Sequence, residues 1–269
     1  MNTQTIDHIL DAHREWLAAG QPEGDARRAY LLKTCLPGAN LAGADLRGAY
    51  LVSADLTNAQ LRGAKLDQAA LELADLSNAC ARVASLTRAH MHRARLRGAD
   101  LSAADLERAD LTCADLVRAI AYSARLVAAA LMNADLSAAD LERANLTGAD
   151  LRHATAHSAR LVAAELTDAK LTAADLWGAN LTGAVMTRAN LDGANLRSSR
   201  LVGASMTFAS LTRADLTCAD LCGADLRGAD FTDAYLGRAN FAGANLEGAN
   251  FAGANLDSAD LTGAKGRQS

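Results

Sequence analysis

The stretch "ADLTCADLCGADLRGADF", residues 214–231, begins the same unit four times: an alanine, an aspartate and a large apolar residue. The unit recurs every five residues, which fits neither the 3.6-residue turn of a helix nor the two-residue alternation of a strand. On a helix, leucines five apart would be spread around all sides instead of forming one apolar stripe. In a straight strand, an odd period would place successive leucines on opposite faces. The pattern therefore predicts a chain that bends once in every repeat.

The same period runs through most of the chain. Leucine occupies 38 of the 47 positions found at every fifth residue from Leu31 to Leu261, and alanine stands two residues earlier everywhere except at Thr34 and Ser199. Residues two apart in an extended segment point to the same side, so each alanine and the following leucine are predicted to face inward. Repeated bending winds a hollow polygon whose coils stack through backbone hydrogen bonds, roughly 4.8 Å apart. We therefore expect one uninterrupted solenoid.

The units "ADLRGADF", "ANLEGANF" and "ADLSAADL" resemble the A(D/N)LXX unit of the pentapeptide-repeat family. The resemblance covers residues 29–265. It implies the fold of that family, an all-β solenoid in the form of a right-handed quadrilateral β-helix with four repeats per coil. Such an array would make about 11–12 four-sided coils and a rod roughly 55 Å long at the interstrand spacing.

Residues 1–28 and 266–269 fall outside the repeat. Apolar residues at helical spacing before residue 18 predict a capping α-helix within an N-terminal segment, residues 1–28. The open end of a β-solenoid exposes unpaired backbone and an apolar lumen, and Trp16 and Leu17 are expected to cover it. A helix that binds a partner is the alternative interpretation. Residues 266–269 are predicted to be a disordered tail.

Composition limits the class of protein. The chain has 269 residues and a net charge of −4, and its five cysteines are odd in number and lack CxxC spacing. No apolar run is long enough to span a membrane, and the N-terminus lacks the pattern of a signal peptide. We therefore expect a cytoplasmic protein with reduced thiols and no membrane contact.

The candidate chemical groups are few. Sixteen aspartates precede a repeat centre between Leu41 and Leu261, so these outer rows are interpreted as structural and not as a catalytic pair. His90 and His92 flank the inward Met91, but no third metal ligand stands at a stacked position. The interpretation is no catalytic residue, no metal site and no cofactor. An alternative function of this basic corner, binding an acidic partner, would also use Arg93, Arg95 and Arg97.

The array departs from itself in three similar segments. "AIAYSARLVAAAL" at 119–131 recurs as "ATAHSARLVAAEL" at 154–166, and "LRSSRLVGAS" at 196–205 echoes both. Outward apolar side chains edged by arginines on one side of the rod are typical of an interface. Drift after duplication, with singly exposed apolar residues, is the alternative. The candidate interface comprises Val83, Ile120, Tyr122, Arg160, Val162, Arg200 and Val202.

Two functions follow from these observations. The first is a non-catalytic, rigid scaffold for protein–protein interaction, with an unknown partner and without direct binding of nucleic acid. The second is implied by the resemblance, because some pentapeptide-repeat proteins imitate duplex DNA and bind type II topoisomerases such as DNA gyrase. Duplex DNA carries one charge in about 1.7 Å, far more than a net charge of −4 supplies over the rod. The scaffold is therefore favoured.

The C-terminal end of the array predicts self-association. No amphipathic segment follows Leu261, so the last coil is expected to present an apolar lumen and unpaired backbone groups. Two copies meeting end to end would cover both lumens by two-fold symmetry. The residues expected at this homodimer contact are Phe241, Phe251, Leu256 and Leu261.

Overall fold

A computed structural model of the chain describes residues 3–21 and 28–266. Helix α1 spans Thr3–Ala18. From Tyr30 to Lys265, every fifth residue forms a single-residue parallel β-bridge with the residue 20 positions later. An offset of 20 and a period of five give four sides to each coil, and the array makes just under twelve coils. Pro22 and residues 267–269 of the predicted tail lie outside the described residues.

Backbone hydrogen bonds use four of the five N–H groups in a repeat. In residues 101–105, three of them donate to carbonyls of neighbouring coils, and one closes the corner by donating to the carbonyl of Leu101. The fifth, on Ser102, donates to Oδ1 of Asp100 at 3.0 Å. An N–H group without a partner is costly when it is withdrawn from water. The aspartate therefore completes the hydrogen bonding of the repeat.

This role explains the alternation of aspartate and asparagine before each centre. All 25 such side chains accept the N–H of the residue two positions on, at N···O distances of 2.8–3.4 Å. Only side chains of this length and geometry make the local bond readily. Where Ser85 replaces them, Asp67 of the preceding coil accepts the N–H of Thr87 at 3.2 Å. The outer acidic rows are thus part of the frame.

Each corner is a tight turn of one type. The second variable residue has a φ of 52–69° in all 47 repeats, and a positive φ at the third residue alone is the pattern of a type II turn. Glycine adopts this conformation freely. Yet 31 corners carry other residues, among them Val83 and Leu73 with φ values of 57° and 60°. Hydrogen bonds to two neighbouring coils hold these corners in a conformation that such residues rarely adopt.

The lumen is apolar throughout. The repeat centres from Leu31 to Leu246 are 0–4% exposed, and burial of each leucine side chain contributes about 1.5–3 kcal/mol. We name the four sides faces A, B, C and D after their first centres, Leu31, Leu36, Leu41 and Leu46; each face continues at intervals of 20 residues. Residues between centres 20 apart therefore form columns on the outside of one face.

Helix α1 covers the N-terminal end of the lumen. Ile6 and Leu10 are 6% and 9% exposed and belong to the same apolar core as Leu31. His13 is fully buried, and its Nδ1 accepts the backbone N–H of Ala29 at 3.0 Å. Helix α1 is also the only helix among the described residues, and it is too short and too polar to cross a bilayer.

Trp16 and Leu17 do not have the position expected of them. Trp16 is buried, but its ring lies 3.4 Å from the place of a Cβ on Gly48, at an outer corner, with the Arg28 guanidinium 5.3 Å from the ring centroid. Leu17 is half-buried. Ile6 and Leu10 close the lumen instead, because they lie one turn apart on the side of α1 that faces it.

Candidate interaction surfaces

The candidate interface predicted from the sequence lies on face C. Val83, Ile120 and Tyr122 are 60%, 42% and 37% exposed, whereas Val162 and Val202 are half-buried. A coil with polar outward residues separates each apolar site from the next, as Ser102, Glu142 and Thr182 do. The structure therefore places these residues on one side but leaves them as separate contacts, about 10 Å apart at the interstrand spacing.

The two arginines of the candidate interface differ in their partners. Arg160 Nη1 lies 3.1 Å from Oδ2 of Asp140 on the preceding coil, and its Nη2 contacts Oε2 of Glu142. Arg200 lies between Asn180 and Asp220 in its column and makes no ion pair with a described residue. Of the two, Arg200 keeps its charge available to a partner, whereas Arg160 is engaged within the rod.

The arrangement around Arg160 has a duplicate. Residues 99–129 and 134–164 agree at 25 of 31 positions. Arg125 accordingly contacts Asp105, at 3.2 Å, and Glu107 in the same way. The offset of 35 residues is seven repeats, so Arg125 lies on face D and Arg160 on face C. The duplication preserves the ion pairs but not the side of the rod.

A different apolar surface lies on face A beside helix α1. Tyr30, Leu32 and Leu73 are 53%, 56% and 53% exposed, and Tyr50 and Val52 are half-buried between them. The rings of Tyr30 and Tyr50 stack with their centroids 4.9 Å apart. These five residues, which we call the N-terminal strip, are continuous over three coils. Sequence reasoning missed them, although the 20-residue register already placed them in one column.

Residues 80–99 form a coil with five arginines and no acidic residue, which we call the basic coil. Three of its arginines are paired with neighbouring coils: Arg82 with Asp100, Arg95 with Asp75, and Arg97 with Asp115. The other two, Arg88 and Arg93, make no ion pair with a described residue. They stand at the two corners of face A, on either side of His90 and His92, directly beyond Leu73.

Elsewhere the outer acids are neutralised locally. Arg152 donates to both carboxylate oxygens of Asp150, at 2.8 and 2.6 Å. This hydrogen bond holds the pKa of Asp150 below its usual value, against the opposing effect of burial. The pairs of Arg47 with Asp45 and of Arg227 with Asp225 repeat the same geometry. Much of the acidic surface is therefore covered by arginine.

Metal-ligating side chains do not converge within the part of the chain that the structure describes. No group of three or more histidine, cysteine or acidic residues is close enough to hold an ion among these residues, His90 and His92 included. All five cysteines are free thiols. The structure brings together no candidate catalytic set from the residues that it describes.

The C-terminal end of the lumen is open. Phe251, Leu256 and Leu261 are half-buried and line a cavity of about 280 Å³. Phe251 stacks on Phe231, at 5.0 Å between centroids and an angle of 6°. Phe241 is fully buried one coil below Leu261, so it cannot touch a partner as the sequence suggested; it supports the end from beneath.

The period of five, the four-sided coil and the capped asparagine and aspartate rows can be compared with known proteins. The sequence model of a family described as pentapeptide repeats matches eight times, over residues 27–59, 39–78, 54–93, 89–126, 129–168, 164–201, 189–228 and 229–265. The chain belongs to the pentapeptide-repeat family. Its fold is accordingly the right-handed quadrilateral β-helix of that family, here with one N-terminal helix.

Solved structures of other pentapeptide-repeat proteins are similar to this one. HetL, involved in heterocyst differentiation regulation in the cyanobacterium Nostoc, is 32% identical over 95% of this chain and 97% of its own, with a TM-score of 0.36. A protein of the Arabidopsis thaliana thylakoid lumen is 41% identical over 34% of this chain and 63% of its own, with a TM-score of 0.33. QnrB1, a plasmid-mediated fluoroquinolone resistance protein, is 18% identical over 80% and 90%, with a TM-score of 0.35. No curated protein matches the chain.

Proposed function

We propose that this pentapeptide-repeat protein is a non-catalytic scaffold that binds another protein through its outer faces. The observation that carries the proposal is the exposure of nine large apolar side chains on a frame whose backbone hydrogen bonds are satisfied within the coils. Such side chains on a rigid surface favour association with a protein. All five cysteines are free thiols, which fits the reducing cytoplasm as its location.

The charge distribution favours the scaffold over a DNA mimic that binds a type II topoisomerase. Residues 30–265 carry 23 basic and 26 acidic side chains, and arginines cover many of the acids. A mimic of duplex DNA needs closely spaced negative charge that is not neutralised, at about one charge per 1.7 Å. The basic coil interrupts any such row on all four faces.

The test of the scaffold function is capture of a partner with a photo-crosslinking residue. The residue is placed at Tyr122 on face C, at Leu73 on face A, and at the half-buried Ser137 on face B as a control. We expect a discrete crosslinked protein in native cell extract from at least one of the first two positions and not from Ser137. Absence of any discrete product from all exposed apolar positions would remove the support for a scaffold.

We also propose that two copies associate through their C-terminal ends. The half-buried side chains of Phe251, Leu256 and Leu261 surround an apolar cavity, and a second copy turned by two-fold symmetry would bury both cavities. The last coils help, because Asn240, Asn245, Asn250 and Asn255 precede their centres and no carboxylates oppose approach there.

Light scattering tests this association at tens of micromolar protein. We expect twice the monomer mass for the parent and the monomer mass for Leu261→Lys, because a charged side chain cannot enter the shared apolar contact. Thr262→Lys is the matched control, since Thr262 is exposed on the outside of the same coil. A monomeric parent, or a Leu261→Lys variant with the parental mass, would contradict the proposal.

A further inference from the structure

The N-terminal strip ends at the basic coil. Leu73 belongs to the third coil on face A, and Arg88 and Arg93 stand at the two corners of face A on the fourth. The apolar part of the surface is three coils long, about 14 Å at the interstrand spacing. One side of the rod therefore presents apolar side chains first and unpaired guanidinium groups next.

An unsatisfied acceptor lies inside the same surface. Glu72 occupies the turn position between Val52 and His92 of the neighbouring coils, and its Oε2 is buried without a hydrogen-bond donor among the described residues. A buried carboxylate oxygen without a donor is unfavourable. A backbone N–H group laid across the strip would supply the missing hydrogen bond.

Resting on the scaffold function proposed above, we propose that the N-terminal strip and the basic coil bind an extended protein segment in which apolar side chains are followed by aspartate or glutamate. Leu32, Val52 and Leu73 contact the apolar side chains, and Glu72 accepts a main-chain N–H. Arg88 and Arg93 bind the carboxylates. At about 3.3 Å per residue, four or five residues separate the two parts of the segment.

The dimensions favour a linear segment over a folded domain. A standard interface buries about 800 Å² on each partner, which is wider than one face and three coils provide. A linear segment of eight to ten residues fits the strip and its end. The affinity expected of such a small contact is in the micromolar range, as for other short-peptide sites.

The neighbouring coil excludes a long polyanion. Asp100, Asp105, Asp110 and Asp115 place a carboxylate on every face of the coil that follows the basic coil. A nucleic acid lying along the rod would bring its phosphates against this acidic coil, which like charges oppose. Positive charge one coil deep suits a few carboxylates at the end of a peptide.

The experiment is a selection of peptides by the full chain. A displayed library of random 12-residue peptides is selected on immobilised protein, and the enriched peptides are synthesised and titrated by fluorescence anisotropy. We expect enriched peptides with apolar residues followed by acidic ones. Leu73→Ser and Arg88→Glu/Arg93→Glu are each expected to weaken their binding at least ten-fold.

Two matched controls separate the site from general effects. Phe208→Ser removes an apolar side chain that is 69% exposed at the same turn position with φ 57°, and Arg213→Glu reverses a charge at a corner residue of face A seven coils from the strip. Both controls are expected to bind the peptides like the parent. Enriched peptides without acidic residues, or equal binding by the strip variants and the parent, would overturn the proposal.

A second arm tests a membrane surface as the occupant. Vesicles of phosphatidylcholine with 30% phosphatidylserine are sedimented with the parent and with Leu73→Ser. We expect no co-sedimentation of either protein; binding of the parent that Leu73→Ser abolishes would overturn the peptide proposal. If a native partner crosslinks to Tyr122 and is indifferent to the strip variants, the docking surface fails and the scaffold function stands.

Discussion

The two ends of the rod have the same lumen but different surroundings. At the N-terminal end, Leu31 is 0% exposed because Ile6 and Leu10 of helix α1 lie over the first coil. At the C-terminal end, Leu261 has the same residue type and the same inward position, yet it is half-exposed. Burial of a repeat centre thus depends on the coil or helix that covers it and not on the repeat itself. Energetic effects should therefore grade along the rod.

The largest expected effect compares a central and a terminal leucine. Leu191 is fully buried between neighbouring coils, so Leu191→Ala should lower the free energy of unfolding by about 2–5 kcal/mol through lost burial and a cavity. Leu261→Ala should cost less than half as much, because water already reaches this side chain. Urea denaturation followed by circular dichroism measures both, and equal midpoint shifts would break the comparison of the ends.

The covered end should respond to pH through His13. Burial lowers the pKa of His13, and its Nδ1 accepts the N–H of Ala29, so protonation would set two donors against each other. Asp45 opposes this pKa shift, whereas Arg28 and Arg47 add to it. A lowered pKa in the folded state stabilises the cap fully above about 6.5, and this stabilisation is lost as the pH falls through the folded pKa.

Hydrogen exchange measures the effect on the first coil. The protection factor of the Ala29 amide, corrected for its intrinsic rate, should fall up to about ten-fold per pH unit within that window. Amides of the C-terminal coils should not change. His13→Gln should remove the pH dependence, and His8→Gln should retain it because His8 is exposed on α1. A parental dependence in His13→Gln would show that another group controls the cap.

A smaller difference is expected for the acceptors of the corner N–H groups. Asp135 accepts the N–H of Ser137 at 2.9 Å in the middle of the rod, and Asp260 accepts that of Thr262 at 2.9 Å in the last coil. Asp135→Ala should cost about 1 kcal/mol, and Asp260→Ala should cost less because water replaces the acceptor. Asp135→Asn, which keeps the oxygen, is the control and should change thermal stability little. Similar losses for Asn and Ala at residue 135 would contradict this role.

The smallest effect, none, is expected on DNA gyrase. Although the C-terminal coils are more acidic than the basic coil, Asp225 is paired with Arg227, at 2.7 Å between Nη2 and Oδ2. We therefore expect no change in gyrase supercoiling at micromolar protein. A dose-dependent change that disappears on neutralising Asp100, Asp105, Asp110 and Asp115 would favour the DNA-mimic function over the scaffold.

Much of the fold could be predicted from the sequence because one periodic rule governs it. The five-residue spacing of leucine and the alanine two positions earlier already assign the inside of every coil. The role of residues such as Asp100 could have been found in the same way, by asking which N–H group of a repeat lacks a backbone partner. The rule does not reach the cap: the choice of Ile6 and Leu10 over Trp16 depends on how α1 lies on the first coil.

The surfaces were harder to predict because they depend on neighbours 18 to 21 residues away. Arg160 was expected to edge an interface, but Glu142 and Asp140 on the preceding coil bind it. Phe241 was expected at the open end, but the following coil buries it. Attention to the duplicated segments also drew the interpretation to face C and away from Leu32 and Leu73. Exposure is a property of stacked columns, which the linear sequence shows only after folding by twenties.

The five-residue register has a consequence for how such a chain can evolve. Gain or loss of one repeat keeps every leucine inside, but it turns all downstream residues by one side of the coil. The duplication that produced Arg125 and Arg160 moved its copy from face D to face C in this way. Lengthening is therefore tolerated while the outer residues are redistributed among the sides. A binding surface keeps its orientation toward α1 most securely in the first coils, where few upstream insertions can rotate it.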